Sequence, residues 1–119
     1  MYIPEKNTLA FERIMEKLED QNHFEQLRNS PEKFWIFKNS TTCSISNRAC
    51  GVVNETIEKA TIPNIYILDV HQQPELKLYI ADFLWIQHES PQLICIQGKQ
   101  VLWHASHGNI TEIWIVSKM

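Results

Sequence analysis

The chain has 119 residues, the length of one domain with one core. Its formal net charge is −3 with no basic block, which gives nucleic acid no electrostatic footing. No run approaches the roughly 18 apolar residues of a membrane span, so no membrane partner is expected. Cys43, Cys50 and Cys95 are an odd set for a disulfide scaffold, and MYIPEKNTLAFERIM carries charges rather than an apolar secretory core. A cytoplasmic protein with free or redox-active thiols is the expectation.

In chain order, residues 8 to 20 place Phe11, Ile14, Met15 and Leu18 at spacings of three and four. That spacing predicts an amphipathic helix, with a short strand near 13 to 18 as the other reading. HFEQLRNS predicts a short helix, which Pro31 closes off. KFWIFK, residues 33 to 38, is the compact apolar run of a buried strand. From Cys43 to about Lys59, Ile45, Ala49, Val52, Val53 and Ile57 repeat at helical spacing, with Thr41 or Thr42 as candidate N-cap.

IYILDV, residues 65 to 70, predicts a second buried strand. Pro74 then opens the helix PELKLYIADFLWI, since proline suits a first turn. QHESP is a loop. QLICIQ and VLWHAS, joined by a tight turn, form an antiparallel hairpin. NITEIWIVSKM predicts a terminal helix capped by Asn109. The sum is α/β in class: one domain over 1–119, with residues 1–21 as an N-terminal extension packed on it. Its core is a mixed sheet of four to five strands with helices on both faces.

The stretch FKNSTTCSIS, residues 37 to 46, carries the chemistry. Cys43 stands at a strand-to-helix junction, where unpaired helix N–H groups and the positive dipole end favour a thiolate. Thiols so placed titrate well below the free value of about 8.5. Lys38 adds positive potential if it points inward. Thr42, Ser44 and Ser46 offer hydroxyls to the sulfur. The bland alternative is a small, inert, half-buried cysteine, and at this point both readings stand.

In a C-x-x-C motif the partner thiol sits three residues on, where this chain has Ser46. Cys50 lies seven residues past Cys43, two helical turns or about 10 Å away. Bridged Cα atoms must lie within about 7 Å, so a Cys43–Cys50 disulfide requires unwinding. Cys50 is nevertheless the one possible resolving thiol. Pro91, directly before a strand, is a candidate cis-proline that frees the Ser90 backbone to pair with an extended substrate. His88 is a candidate lining residue of the same groove. The histidines have no metal-ligand spacing with cysteines, and no phosphate loop or Ser-His-Asp pattern is present.

IFKNSTTCSIS followed by HESPQLICIQGKQVLWHASHGNIT resembles the monothiol bacilliredoxins, over about residues 22 to 116. The family pattern near the cysteine is typically FKHSTTCPIS; this chain has Asn39 in place of the histidine and Ser44 in place of the proline. The resemblance implies a thioredoxin-like fold. It places Cys43 as nucleophile, Ser46 at the lost resolving position and Pro91 as the cis-proline facing the thiol. It implies thiol–disulfide exchange with bacillithiol as co-substrate and no tightly bound cofactor. The implied partners are bacillithiolated cytosolic proteins and a flavin-dependent bacillithiol disulfide reductase. The other function class left open is a non-catalytic redox-sensing or binding module of the same fold, with Cys43 as a modification target.

Overall fold

Three stretches in this chain are apolar on consecutive residues, and each becomes a strand buried on both faces. A computed structural model describes residues 15–119. In it β1 spans Glu16–Lys17, β2 Phe34–Asn39, β3 Ile65–Asp69, β4 Gln92–Gln97 and β5 Gln100–Ser106. Helix α1 spans Gln21–Asn29, α2 Ser44–Ala60, α3 Pro74–Leu84 and α4 Glu112–Ser117, with a 3₁₀ turn at His107–Asn109. The strands form one mixed five-stranded sheet in the order β1-β3-β2-β4-β5. β1, β3 and β2 run parallel, while β4 is antiparallel to both β2 and β5.

Alternation along the strands splits the core into two layers. Trp35, Phe37, Leu93 and Cys95 pack on one face against Ala49 and Val53 of α2 and Ile115 of α4. Phe34, Ile36, Leu68, Ile94 and Ile96 pack on the other against Phe24 of α1 and Leu76, Ile80 and Leu84 of α3. Phe24 is fully buried and meets Phe34, Tyr79 and Phe83 edge to face, at centroid distances of 6.2, 6.0 and 5.8 Å. These contacts clamp α1 onto the sheet and onto α3 at once.

One expectation is settled and one corrected. Of the two readings of residues 8 to 20, which lie partly outside the described residues, the short strand near 13 to 18 holds and the helix does not. Glu16 and Lys17 pair instead with Tyr66 and Ile67 of β3. Met15 and Leu18, three residues apart, enter opposite core layers rather than one helical face. The cap of the last helix is Thr111, not Asn109: its hydroxyl oxygen accepts the Trp114 N–H at 3.1 Å. Asn109 falls in the 3₁₀ turn, which ends the hairpin before the helix begins.

The topology brings four segments to one end of the sheet. Asn39 closes β2 opposite Asp69, which closes β3. β4 runs the other way, so its first residue, Gln92, pairs with Lys38 and with Ser106. The 40–43 loop, the 70–73 turn, the 87–91 segment and the His107 turn therefore share the carboxyl end of the parallel strands, the usual place for a site in such sheets.

Candidate functional site: a lone thiol at a helix start

Cys43 is itself the N-cap of α2, with extended backbone at φ −113° and ψ 125°. This corrects the expected Thr41 or Thr42 cap. The chain turns at 41–42, held by the Cys43 N–H donating to the Ser40 carbonyl at 3.2 Å, so helical geometry starts one residue later. The sulfur is half-exposed and closes no full capping bond. The Ser46 N–H and then the Ile45 N–H still draw its pKa below the ordinary thiol value, with a smaller pull from the Ser46 hydroxyl and a small opposing effect of burial. The physical cause is the one the sequence suggested, unpaired donors at a helix start. The Ser44 N–H is not among those donors, and neither is Lys38 among the charges acting on the thiol.

The other cysteines are set apart by burial. Burial raises the Cys50 thiol, with the Asn54 amide at 3.7 Å pulling the other way. Cys95 is wholly buried in β4 and pushed up to about 11. All three are free thiols. Ser46, at the position where a resolving thiol would sit, is fully buried and accepts the Ser40 N–H at 3.2 Å. Ser46→Ala is expected to raise the Cys43 pKa and to cost about 1–3 kcal/mol by stranding the buried Ser40 N–H. Iodoacetamide alkylation against pH reads the first effect, a small one since the Ser46 N–H remains, and urea unfolding the second; an unmoved alkylation profile would remove the Ser46 hydroxyl from the thiol's environment.

Thr42 and Ser44 are exposed beside the sulfur. Thr42 is tied to a residue the sequence reading passed over. His71 Nε2 lies 2.7 Å from the Ser40 hydroxyl and 3.2 Å from the Thr42 hydroxyl. Asp69 holds the turn beneath it by accepting the His71 and Gln72 N–H groups at 2.8 and 3.1 Å. The available signal was positional: His71 follows a strand parallel to β2, so it emerges at the same sheet end as Cys43.

The Ser90–Pro91 peptide is cis. The Pro91 carbonyl accepts the His107 N–H at 3.0 Å, while among the described residues neither the Ser90 N–H nor its carbonyl meets another backbone group. Between the first turns of α2 and the His107 turn lies a cleft of about 250 Å³, lined by Ile45, Arg48, Ala49, Val52, His107, Gly108 and Ile110. Ile45, half-exposed at 51%, puts apolar surface two residues from the nucleophile.

Lys38 and His88 are brought together, but inside. Lys38 is fully buried on the face of α1 and α3, and its Nζ lies 3.1 Å from His88 Nδ1. Burial first, and then Lys77, bring the Lys38 pKa down to about 8, while Glu89 opposes. Burial and then Lys38 and Lys77 lower His88 as well. No group of metal-ligating side chains occurs among the described residues. No helix of the described residues is long and apolar enough to cross a membrane.

The arrangement is a half-exposed thiol at a helix start on a thioredoxin fold, and comparison with known proteins shows the same fold. The chain superposes on a candidate oxidoreductase with a thioredoxin fold at a TM-score of 0.82 and 29% identity, covering 91% of this chain and 96% of that one. It superposes on Fasciola hepatica thioredoxin at 0.68 and 15% identity, covering 86% and 95%. Oxidized mitochondrial thioredoxin 3 of Saccharomyces cerevisiae gives 0.66 and 16%, covering 87% and 91%. These last two share the fold. The family model of the monothiol bacilliredoxin BrxC matches residues 16–115, and the chain belongs to that family.

Proposed function

We propose that the protein is a monothiol thiol–disulfide oxidoreductase that removes bacillithiol from mixed disulfides on oxidised cytoplasmic proteins. The observation that carries this reading is the half-exposed Cys43 thiol, its pKa lowered by N–H groups of a helix start, at the sheet end that also carries the cis Ser90–Pro91 peptide. A thiolate is the attacking species in such exchange.

The Cys43 thiolate attacks the bacillithiol sulfur of the mixed disulfide. The S–S bond to the client breaks, the client leaves as a thiolate and takes a proton from water, and Cys43 holds bacillithiol in a new S–S bond. Two electrons remain in the client thiol, which is thereby reduced. Ser46 cannot resolve the adduct, so a second bacillithiol thiolate attacks it, releasing bacillithiol disulfide and the Cys43 thiolate. A flavin-dependent reductase with a nicotinamide donor then returns the disulfide to two thiols. The protein itself needs no bound cofactor in this cycle. The Ser90 N–H and carbonyl suit an extended segment of the client, and the Ile45–Arg48 cleft suits the rest of the bound thiol.

The test is removal of bacillithiol from a peptide mixed disulfide, monitored by mass. The wild type clears the adduct; a Cys43→Ser variant that clears it equally well would refute the proposal.

A further inference from the structure

Lys38 is the one fully buried lysine among the described residues, and the proposed cycle does not use it. Lysine is almost never fully buried unless paired, because desolvating an ammonium costs several kcal/mol. Its partner, the His88 imidazole, comes from a segment 50 residues away. The bond joins the strand that leads to Cys43 to the segment that carries Ser90 and Pro91.

The rest of that segment is tied at the same sheet end. The Gln92 amide, cross-strand partner of Lys38, donates to the Gln87 carbonyl at 3.2 Å. Glu89 pairs with His107 at 3.3 Å, on the half-exposed rim. Pro91 is held through its carbonyl. Ser90, like Gln87, His88 and Glu89, has no backbone–backbone hydrogen bond among the described residues, and its hydroxyl is buried without a partner among them. Among the described residues, the Lys38–His88 bond is the one tie that pins this segment from inside the sheet by a side chain of β2.

We propose that Lys38 and His88 act together as a positioning pair, holding the 87–91 segment so that the Ser90 backbone is set to receive the extended substrate beside Cys43. This rests on the function proposed above and adds to it. With Lys38 charged, its N–H donates to His88 Nδ1, which places the ring proton on Nε2. A charge-assisted bond of this kind is roughly twice as strong as a neutral one. The charged groups facing the pair are Lys77 from α3 and Glu89 from the segment itself. Lysine 38 loses its proton at about pH 8, so the tie weakens above that pH.

The test is the double variant Lys38→Met, His88→Leu, which removes both partners and strands no buried charge. At pH 7 the KM for the peptide mixed disulfide is expected to rise about tenfold or more, with the Cys43 alkylation profile unmoved. At pH 9 the ratio of the two KM values is expected to shrink below about threefold, because the wild type has lost the tie as well. Amide hydrogen exchange across residues 87–91 is expected to speed up about tenfold in the variant. A folded double variant with KM within twofold of wild type, or with unchanged exchange in the segment, overturns the proposal. If the double variant does not fold, exchange in the wild type decides: faster opening of the segment at pH 9 than base catalysis alone gives supports the pair, and no excess overturns it. Exchange needs no substrate, so failure there is distinct from failure of bacillithiol removal, which would sink the proposed activity instead.

Discussion

Cys43→Ser is expected to lower bacillithiol removal by on the order of 10³-fold or more, at nearly unchanged stability. A serine hydroxyl forms no disulfide, so the mixed-disulfide intermediate is lost rather than slowed. The remaining thiols cannot substitute. Cys95 is pushed up to about 11 inside β4, so at pH 7 its thiolate fraction is about one in 10⁴. Cys50 is half-buried with a raised pKa and lies well along α2 from the substrate end. Stability should hold because Cys43 is half-exposed and closes no capping bond. Steady-state clearance of the mixed disulfide checks the rate and thermal unfolding checks the fold. A variant retaining more than a tenth of the rate would contradict the role given to Cys43.

Phe24→Ala is expected to be the most damaging single core change, at about 3–5 kcal/mol. The ring is fully buried and touches three others edge to face, so truncation removes aromatic pairing as well as burial. It also leaves a hole between α1, the sheet and α3, where rigid strands can relax little. For a domain of this size the melting temperature should fall by roughly 10–20 °C. Urea unfolding checks it: a change below 1 kcal/mol would show that α1 is not clamped as described. Since Phe24 packs on the face away from α2, alkylation of Cys43 in the folded variant should be unaffected.

The three central strands were legible because each is a run of β-branched and aromatic residues too short for a buried helix and bounded by turn residues. The helix start at Cys43 was legible too, but not its cap. Three hydroxyl residues precede the cysteine, and propensity favours them, whereas the turn they make leaves the thiol itself at the cap. Residues 8 to 20 read equally as helix or short strand because Met15 and Leu18 keep helical spacing, whereas a two-residue edge strand sends them to opposite layers. The burial of Lys38 was readable in principle: it stands two residues past Ile36 and four past Phe34, on their face. Its partner was not, since only the antiparallel register of β4 brings the 87–91 segment over it. His71 carried only the positional signal of following a strand parallel to β2; its contact with Ser40 and Thr42 depends on the register of β3 against β2 across 30 residues, which no local pattern sets.

The central claim is a one-thiol cycle through Cys43, and one measurement meets it directly. The protein is exposed to bacillithiol disulfide, weighed intact and mapped by peptide. The account predicts one bacillithiol adduct per chain, on Cys43, that is removed by free bacillithiol and leaves Cys50 and Cys95 as thiols. A loss of two hydrogens mapped to a Cys43–Cys50 bridge, or an adduct on another cysteine, would contradict it.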